Sequence, residues 1–469
     1  MKRIIYTLLV CLMVYGSADA LRVQVNTGKL YEQMPAIENT SDDLLELRGS
    51  ANAADLLMLR KMSGSIETLD MSELIVEASS FPDESTTGQK IYAEGELPAY
   101  MLAGSAVKNV MFPKNVKIIG EGTFSSSGLR SVNVPPTVNK IGNYAFASCP
   151  ELANASLSSE AQLGIGMFKD CRKLKAVRFE FPVTYIPVGM FDGCVIYSEK
   201  IPSSVKTVDD YAFRKTALKS LNLSNISSIG EYAFADMPEL SSVTFSEAGA
   251  INLGVGAFFN DKGLESLPAF MSELPKLALA QNIGKSQVVI RSSRIGEAAY
   301  ANNPNIDTIT LGPEVRIINK NAFRNLKGLK LVDACRLKSN VPEVDEEAFS
   351  GLLTDTGTYE IELNVAKGSE PAWKAHPVWS LFKIGQYETG VDIMSDSSDV
   401  EIIVNRDGPT IYVSASTDID FMGIYSMDGT CLYENTPSSE MITVNNLPSS
   451  DILVIKVKAG QTVKIVKLR

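Results

Sequence analysis

Few residues of this 469-residue chain have the type and spacing that chemistry requires. His376 is the single histidine, which excludes a histidine-based catalytic triad and a multi-histidine metal site. Carboxylates are common, but no pair recurs at a fixed offset that would define a glycosidase. Gly164 and Gly166 belong to recurring turns rather than to a phosphate-binding loop. The sequence therefore predicts no enzyme, no cofactor and no metal centre, although a calcium ion held by turn Asp and Asn residues stays open.

Three cysteines occupy equivalent places in the chain. Cys149, Cys171 and Cys194 each follow a phenylalanine by three residues, and we expect a ladder of small buried side chains. Two alternatives stay open: a metal site, which no histidine accompanies, and a strained disulfide between adjacent repeats. Together with Cys335 and Cys431 they make five cysteines after the first twenty residues, an odd number that is untypical of a disulfide framework.

The phenylalanines belong to a repeat that organises most of the chain. An aromatic marker recurs roughly every 22 residues, a period typical of leucine-rich solenoids. Met101 takes its place one period before Phe124, and a gap of two periods indicates one degenerate copy between Phe258 and Tyr300. The markers are Phe124, Phe146, Phe168, Phe191, Phe213, Phe234, Phe258, Tyr300, Phe323 and Phe349.

Each period carries two extended pieces, with the patterns L-x-x-V-x-L and V-x-x-I-G. In the first piece, strand alternation turns the fourth and sixth residues inward and the third and fifth outward. We call the outward pairs the polar stripe: Ser131 and Asn133, Asn154 and Ser156, Ala176 and Arg178, Ser220 and Asn222, Ser242 and Thr244, Thr308 and Thr310.

The polar stripe has two interpretations. Ser and Thr suit stacked strand positions, and a charge repeated about every 5 Å would repel itself, so the stripe is in one view only a solvated face. In the other view it is a long binding face for an extended polymer or a protein, as solenoids commonly provide, with Arg178 as a charged anchor.

Composition limits the possible partners and the location. The formal net charge is -11 and there is no basic run, so the chain lacks the electrostatic signature of nucleic-acid or anionic-lipid binding. Lys2 and Arg3, then the apolar run 4–15 and Ala18-Asp19-Ala20, have the pattern of a signal peptide over residues 1–20. We expect an exported protein with no membrane-spanning segment and with an extracellular protein or glycan as partner; the oligomeric state stays open.

The repeat and the changes in composition divide the chain into four parts. We expect a signal peptide over 1–20, an α/β N-terminal cap with leucine-rich-repeat-like strands over 21–95, a solenoid with its C-terminal cap over 96–385 and a small β-sandwich over 386–469. In the cap, Asn52 and Asp55 predict a helix start. Near the end of the array, Trp373 and Trp379 are expected to plug the last coil, with a cofactor-binding or sugar-stacking role as the alternative.

The repeated phrase I-G-x-x-A-F-x-x-C-x-x-L-x-x-V-x-L-P resembles the BspA-type leucine-rich repeats of bacterial surface proteins of the Bacteroidota type. The resemblance implies a mostly β, right-handed leucine-rich-repeat solenoid and a role in adhesion. The last part resembles the C-terminal sorting domain of type IX secretion, an Ig-like β-sandwich, through Ile424–Gly429, Leu447-Pro448 and the basic end 464–469. That family usually has Gly-x-Tyr after Leu-Pro, whereas this chain has Ser450-Asp451-Ile452.

These observations favour a non-catalytic, secreted or outer-membrane-associated surface protein that binds a host protein, another cell or a glycan. Two alternatives remain. The chain is an accessory protein that presents a glycan or another substrate to a nutrient-uptake system, or it is a structural spacer of the cell envelope.

Overall fold

The fold is described from a computed structural model that covers residues 20–62, 64–82, 89–158, 160–196, 201–245, 251–262, 264, 273–282, 286–337, 340–387, 402–407, 410–426, 431–445, 447, 453–459 and 462–468. The chain is mostly β and forms a solenoid of about 14 turns with a period near 23 residues, which confirms the predicted fold class. Two compact units divide it: Met1–Val332 with Pro342–Ile361, and Asp333–Val341 with Glu362–Arg469.

The first unit begins with strands that alternate with short helices, as predicted for the cap. The strands Ala20–Val25, Leu44–Ala51 and Thr68–Val76 pair in parallel, and Asn109–Met111 joins them. The helices are Leu30–Glu32 and Leu59–Lys61, both 3-10, and the α-helices Met34–Asn39 and Ala53–Met58. An antiparallel pair, Ser79–Pro82 with Gln89–Tyr92, follows.

Asn52 and Asp55 begin the second α-helix as the sequence predicts. The side chain of Asn52 accepts a hydrogen bond from the Asp55 amide, and the Asp55 carboxylate accepts one from the Asn52 amide, each at 3.0 Å. Leu56 and Leu59 are fully buried on the apolar face. Leu45 pairs with Leu21 on one side and with Leu69 on the other, at the same offset of 24 residues (45 − 21 and 69 − 45).

Two ladders of short strands run through the array. The first contains the polar stripe and consists, after Asn109–Met111, of Ser131–Val134, Asn154–Leu157, Ala176–Phe179, Ser220–Asn222, Ser242–Thr244, Gln287–Ile290, Thr308–Leu311 and Leu331–Asp333. The second consists of Glu96–Leu97, Ile118–Ile119, Lys140–Ile141, Tyr185–Ile186, Thr207–Val208, Ser228–Ile229, Asn252–Leu253, Glu273–Leu274, Arg294–Ile295, Ile317–Ile318 and Glu343–Val344. No helix lies among the described residues between 62 and 334, as expected for a β-rich array.

The marker residues form the centre of the core. Neighbouring rings lie 5.1 to 6.2 Å apart, for example Phe323 with Phe349 and Phe168 with Phe191. Leu279 is the degenerate copy between Phe258 and Tyr300, and it is fully buried. The aromatic stack holds successive coils in register because each ring packs on the ring of the next coil.

Two residues before the marker, the backbone is left-handed in each described coil from Tyr100 to Asn321, but not at Glu347 before Phe349. In the coil of Tyr100 this places Leu102 at the marker position, so the prediction of Met101 was wrong by one residue. Tyrosine takes this position in four coils, at φ between 51° and 57°, and glycine takes it in others, for example Gly122 and Gly166. A left-handed conformation costs a residue other than glycine about 1–2 kcal/mol. The tyrosines are Tyr100, Tyr144, Tyr211 and Tyr232.

The second unit contains the predicted aromatic plug. Strands Glu362–Ala366 and Lys383–Tyr387 pair in parallel, with the α-helix Glu370–Lys374 and the 3-10 helices Cys335–Leu337 and Trp379–Leu381. The rings of Trp373 and Trp379 lie 5.3 Å apart and both residues are fully buried. Buried rings leave no face for a sugar, so their role is packing.

The rest of the second unit is a six-stranded antiparallel sheet. Its longest strand is Thr410–Ser426, whose first half pairs with Ile402–Asp407 and Ser439–Val444. Its second half pairs with Cys431–Asn435 and Leu453–Ala459, and Thr462–Leu468 completes the sheet. The Ig-like sandwich stays a prediction. Residues 1–19 of the predicted signal peptide (1–20) and part of the sorting-domain motif (427–429, Pro448) lie outside the described residues.

Candidate binding surface

His376 lies in a turn of the second unit. Its Nδ1 accepts a hydrogen bond from the Val378 amide at 3.2 Å, so this nitrogen carries no proton. Burial lowers the pKa of His376 below its usual value. Among the described residues, no group of three or more His, Cys, Asp and Glu side chains is placed to hold a metal ion.

The three equivalent cysteines form the buried ladder that their spacing predicts. Each thiol donates to the carbonyl oxygen of the marker residue one coil before: Cys149 to Phe124 at 3.1 Å, Cys171 to Phe146 and Cys194 to Phe168 at 3.0 Å. All five described cysteines are free, which excludes the alternative disulfide in this structure.

Burial raises the pKa of the Cys194 thiol, and it raises that of Cys335 to about 12. Neither of these two thiols is therefore available as a thiolate nucleophile or metal ligand near neutral pH. The pKa of Cys149 is lowered instead, chiefly by its hydrogen bond with the Cys171 thiol.

The polar stripe is built by parallel pairing of the first-ladder strands. Ser131, Asn154 and Ala176 lie side by side, and so do Asn133, Ser156 and Arg178. Ser220 pairs with Ser242, and Asn222 pairs with Thr244. Thr308 and Thr310 lie in a separate described sheet, where they pair with Gln287 and Val289.

Exposure follows the predicted alternation. The side chains between the stripe positions, such as Val132 and Leu221, are buried. Ser131, Asn133, Asn154, Arg178, Ser220, Asn222, Ser242 and Thr244 are exposed, and Ser156, Ala176, Thr308 and Thr310 are half-buried. Arg178 Nε lies 3.8 Å from Glu180 Oε1, so the positive charge of Arg178 is partly balanced.

The predicted polar stripe leaves out two sets of outward positions in the first ladder. Gln287 and Val289 precede the strand of Thr308 by one coil, but their coil carries leucine instead of an aromatic marker. Arg22, Glu46 and Asp70 occupy the outward column in the N-terminal coils, and Arg22 and Glu46 form an ion pair at 3.0 Å. Charged side chains replace uncharged ones there, and Arg22 and Arg48 both pair with Glu46, which offsets its repulsion with the neighbouring Asp70.

Comparison with known proteins agrees with this architecture. Residues 95–219, 162–282 and 293–370 match the family described as the BspA type leucine rich repeat region. The chain belongs to the BspA-type leucine-rich repeat family. Members of this family are typically non-catalytic and found at the cell surface.

Solved structures of repeat proteins are similar to the chain. A leucine-rich repeat protein from Bacteroides ovatus is 17% identical with a TM-score of 0.53, over 78% of this chain and 92% of that one. The pneumococcal vaccine antigen PcpA is 14% identical with a TM-score of 0.43, over 81% and 91%. A leucine-rich cell surface protein from Faecalibacterium prausnitzii is 19% identical with a TM-score of 0.37, over 71% and 90%.

Because the identity is only 17%, the first of these similarities shows a common fold and nothing more. No curated protein sequence matches the chain. None of the described helices is long and apolar enough to cross a membrane.

Proposed function

We propose that this BspA-type protein is a non-catalytic, surface-displayed binding protein that holds an extracellular protein or a glycan along the polar stripe. The observation that carries the proposal is the register of the stripe. Hydroxyl and amide groups of successive coils stand side by side, exposed, in two columns. Such a face offers a regular series of hydrogen-bonding groups to an extended partner.

The charge distribution supports a partner that does not depend on strong electrostatic attraction. The central stripe is nearly uncharged, whereas the chain as a whole carries a formal net charge of -11. Burying uncharged polar groups against matching polar groups avoids the desolvation penalty of a charge.

Export to the cell surface is part of the proposal. Residues 1–20 have the composition of a signal peptide, and the end of the chain resembles a type IX sorting domain. Recovery of the full-length product in the cytoplasmic fraction of its native cell, with its first twenty residues intact, would contradict export.

A binding screen with the purified chain tests the stripe. Immobilised extracellular-matrix proteins and a glycan array would be probed with the wild type and with an Asn133→Glu, Ser242→Glu variant. The two substitutions add charge at exposed positions several coils apart, and we expect at least about a tenfold loss of affinity, because each carboxylate must be desolvated on binding.

Asn252→Glu is the matched control. Asn252 is an exposed asparagine at an outward strand position, but it belongs to the second ladder. Binding that survives in the stripe variant, or that is lost equally in the control, would move the site away from the stripe. A chain that binds nothing on the panel would favour a structural spacer.

A further inference from the structure

A groove runs along the second ladder near the start of the array. Its volume is about 470 Å³, and its lining comes from four successive coils, from Glu96 to Ile165. Three glycines line it, one in each of three successive coils: Gly120, Gly142 and Gly164. A Cβ on Gly142 would lie 2.5 Å from the backbone nitrogen of Glu121, so only glycine lets these coils pack so closely.

Tyr100 and Tyr144 adjoin this groove. Each stands in the left-handed position of its coil, and Tyr144 directly follows Asn143, which lines the groove. The Tyr100 hydroxyl donates a hydrogen bond to the Glu121 carboxylate, which links the ring directly to the groove.

Each of these rings leans over a glycine of the next coil. Ring atoms of Tyr100 lie 2.3 Å from the place that a Cβ on Gly122 would take, and ring atoms of Tyr144 lie 2.4 Å from that place on Gly166. Gly122 and Gly166 are buried as a result, while Tyr100 and Tyr144 remain 45% and 41% exposed. The rings therefore cover the backbone on one side and face solvent on the other.

The backbone at this position does not require tyrosine. Glycine adopts the same conformation in Gly122, Gly166 and Gly189 without strain, and Ala298 adopts it at φ 54°. The coils of Tyr100 and Tyr144 accept a strained, partly exposed aromatic residue, and the same two coils supply Glu96 and Asn143 to the groove.

We infer that Tyr100, Tyr144 and the adjoining groove form a binding site for an uncharged, extended polysaccharide chain. Sugar rings present flat C–H faces that pack on aromatic rings, and hydroxyl groups that bond to carboxylates and amides. Glu121, Asn143 and Gln162 supply those polar groups, all at exposed positions. The charged residues that line the groove are two acids, Glu96 and Glu121, and one base, Lys140. Their net negative charge makes the groove unsuitable for a polyanion.

The spacing favours a β-1,4-linked chain. Coils repeat about every 4.8 Å, so Tyr100 and Tyr144, two coils apart, are separated by roughly 10 Å along the axis. In a β-1,4-linked chain each sugar is turned over relative to its neighbour, and equivalent faces recur at every second sugar. Four sugars then match the four coils of the groove.

Calorimetric titration of the full chain with cellotetraose, and with its 2-acetamido counterpart chitotetraose, tests the inference. We expect saturable binding of at least one of them. Tyr100→Ala and Tyr144→Ala should each weaken it about tenfold or more, while the thermal unfolding midpoint stays near that of the wild type, because alanine is tolerated at this position in the coil of Ala298.

Tyr232→Ala is the matched control. Tyr232 has the same left-handed backbone and covers Gly256 in the same way, but no residue of its coil lines the groove. The control should keep wild-type affinity for the tetrasaccharide. Equal losses in all three tyrosine variants would overturn the groove as the site.

Other outcomes also overturn the inference. Failure of both tetrasaccharides to bind the wild type would do so, and so would undiminished binding by both groove variants. Binding of a proline-rich peptide to the groove in place of either saccharide would assign it to a protein partner. Loss of tetrasaccharide binding in Asn133→Glu, with the tyrosine variants unaffected, would place the glycan on the polar stripe; the inference would then fail while the proposed function held.

Discussion

The same core position, three residues after the marker, is filled by different chemistry in two segments of the array. In coils 146–216 it holds Cys149, Cys171, Cys194 and Thr216, and each donates one hydrogen bond to a marker carbonyl oxygen. Between 258 and 303 it holds Asp261, Asn282 and Asn303, which are equally buried. We call these the thiol segment and the amide segment.

The amide segment uses only part of its polar groups. Asp261 Oδ1 accepts from the Met237 amide, and Asn282 Oδ1 accepts from the Asp261 amide, both at 2.8 Å. Asn303 Nδ2 donates to the carbonyl oxygens of Leu279 and Tyr300. Asp261 Oδ2, Asn282 Nδ2 and Asn303 Oδ1 find no hydrogen-bond partner among the described residues.

The comparison shows that the groups around this core position can form hydrogen bonds to about one polar atom of its side chain. A side chain with one polar atom is satisfied by the preceding marker carbonyl, whereas a carboxyl or amide group has a second atom left over. A buried polar group without a partner costs about 1–3 kcal/mol, so the amide segment is the weaker part of the core.

The largest effect is expected when an acid enters the thiol segment. Cys171→Asp places a carboxylate in a fully buried position, where the thiol donates a hydrogen bond to the carbonyl oxygen of Phe146. We expect a loss of about 3 kcal/mol or more, because a buried charge lacks a partner. Urea unfolding followed by circular dichroism measures it.

Cys431→Asp is the control, since Cys431 is exposed and the same substitution there should shift the urea midpoint little. If Cys171→Asp were as stable as the wild type, the thiol segment would have spare polar partners or access to water, and the comparison would fail.

A smaller effect of opposite sign is expected at Asp261. Burial raises the pKa of this carboxyl well above its usual value, and nearby Asp236 adds to the rise. The folded chain therefore keeps the proton to a higher pH than the unfolded chain, and its stability falls as pH rises above about 4. Asp261→Asn removes this loss and keeps an oxygen for the Met237 amide, so we expect a gain on the order of 1 kcal/mol at pH 7.

Urea midpoints at pH 4.5 and pH 7.5 separate the cost of ionising the Asp261 carboxyl, which depends on pH, from the cost of its oxygen without a partner, which does not. The gain from Asp261→Asn should grow with pH, and Asn282→Asp should show the reverse, with a loss that grows with pH. A gain that is independent of pH would mean that the Asp261 carboxyl is not the cause.

The smallest effect concerns reactivity and leaves stability unchanged. In the folded chain a thiol reagent should react quickly with Cys431 alone among the five described cysteines, because the other four are buried. All five should react in denaturant without a reductant. A deficit of two thiols under those conditions would mean that a disulfide forms, and rapid labelling of the folded chain beyond Cys431 would mean that the thiol segment opens.

The sequence alone determined the repeat and its orientation toward the core. The position of Phe146 and its equivalents, the alternation at Ser131–Val134 and the capping pair Asn52 and Asp55 are local patterns, and local patterns fix which side chains turn inward. The charged column at Arg22, Glu46 and Asp70 and the strand at Gln287 were missed, because those coils lack the aromatic marker.

The tertiary structure alone decided which groups meet between coils. The sequence of one repeat shows only that Tyr100 belongs to a turn. Stacking of the coils places its ring over Gly122 and lets its hydroxyl donate a hydrogen bond to Glu121. The same holds for Asp261, whose sequence neighbours give no sign that its second oxygen lacks a partner among the described residues. The physical reason is that the residues in contact lie a full coil apart, so the size and polarity of the neighbouring coil's side chain decide whether a ring has room and a polar atom has a bond.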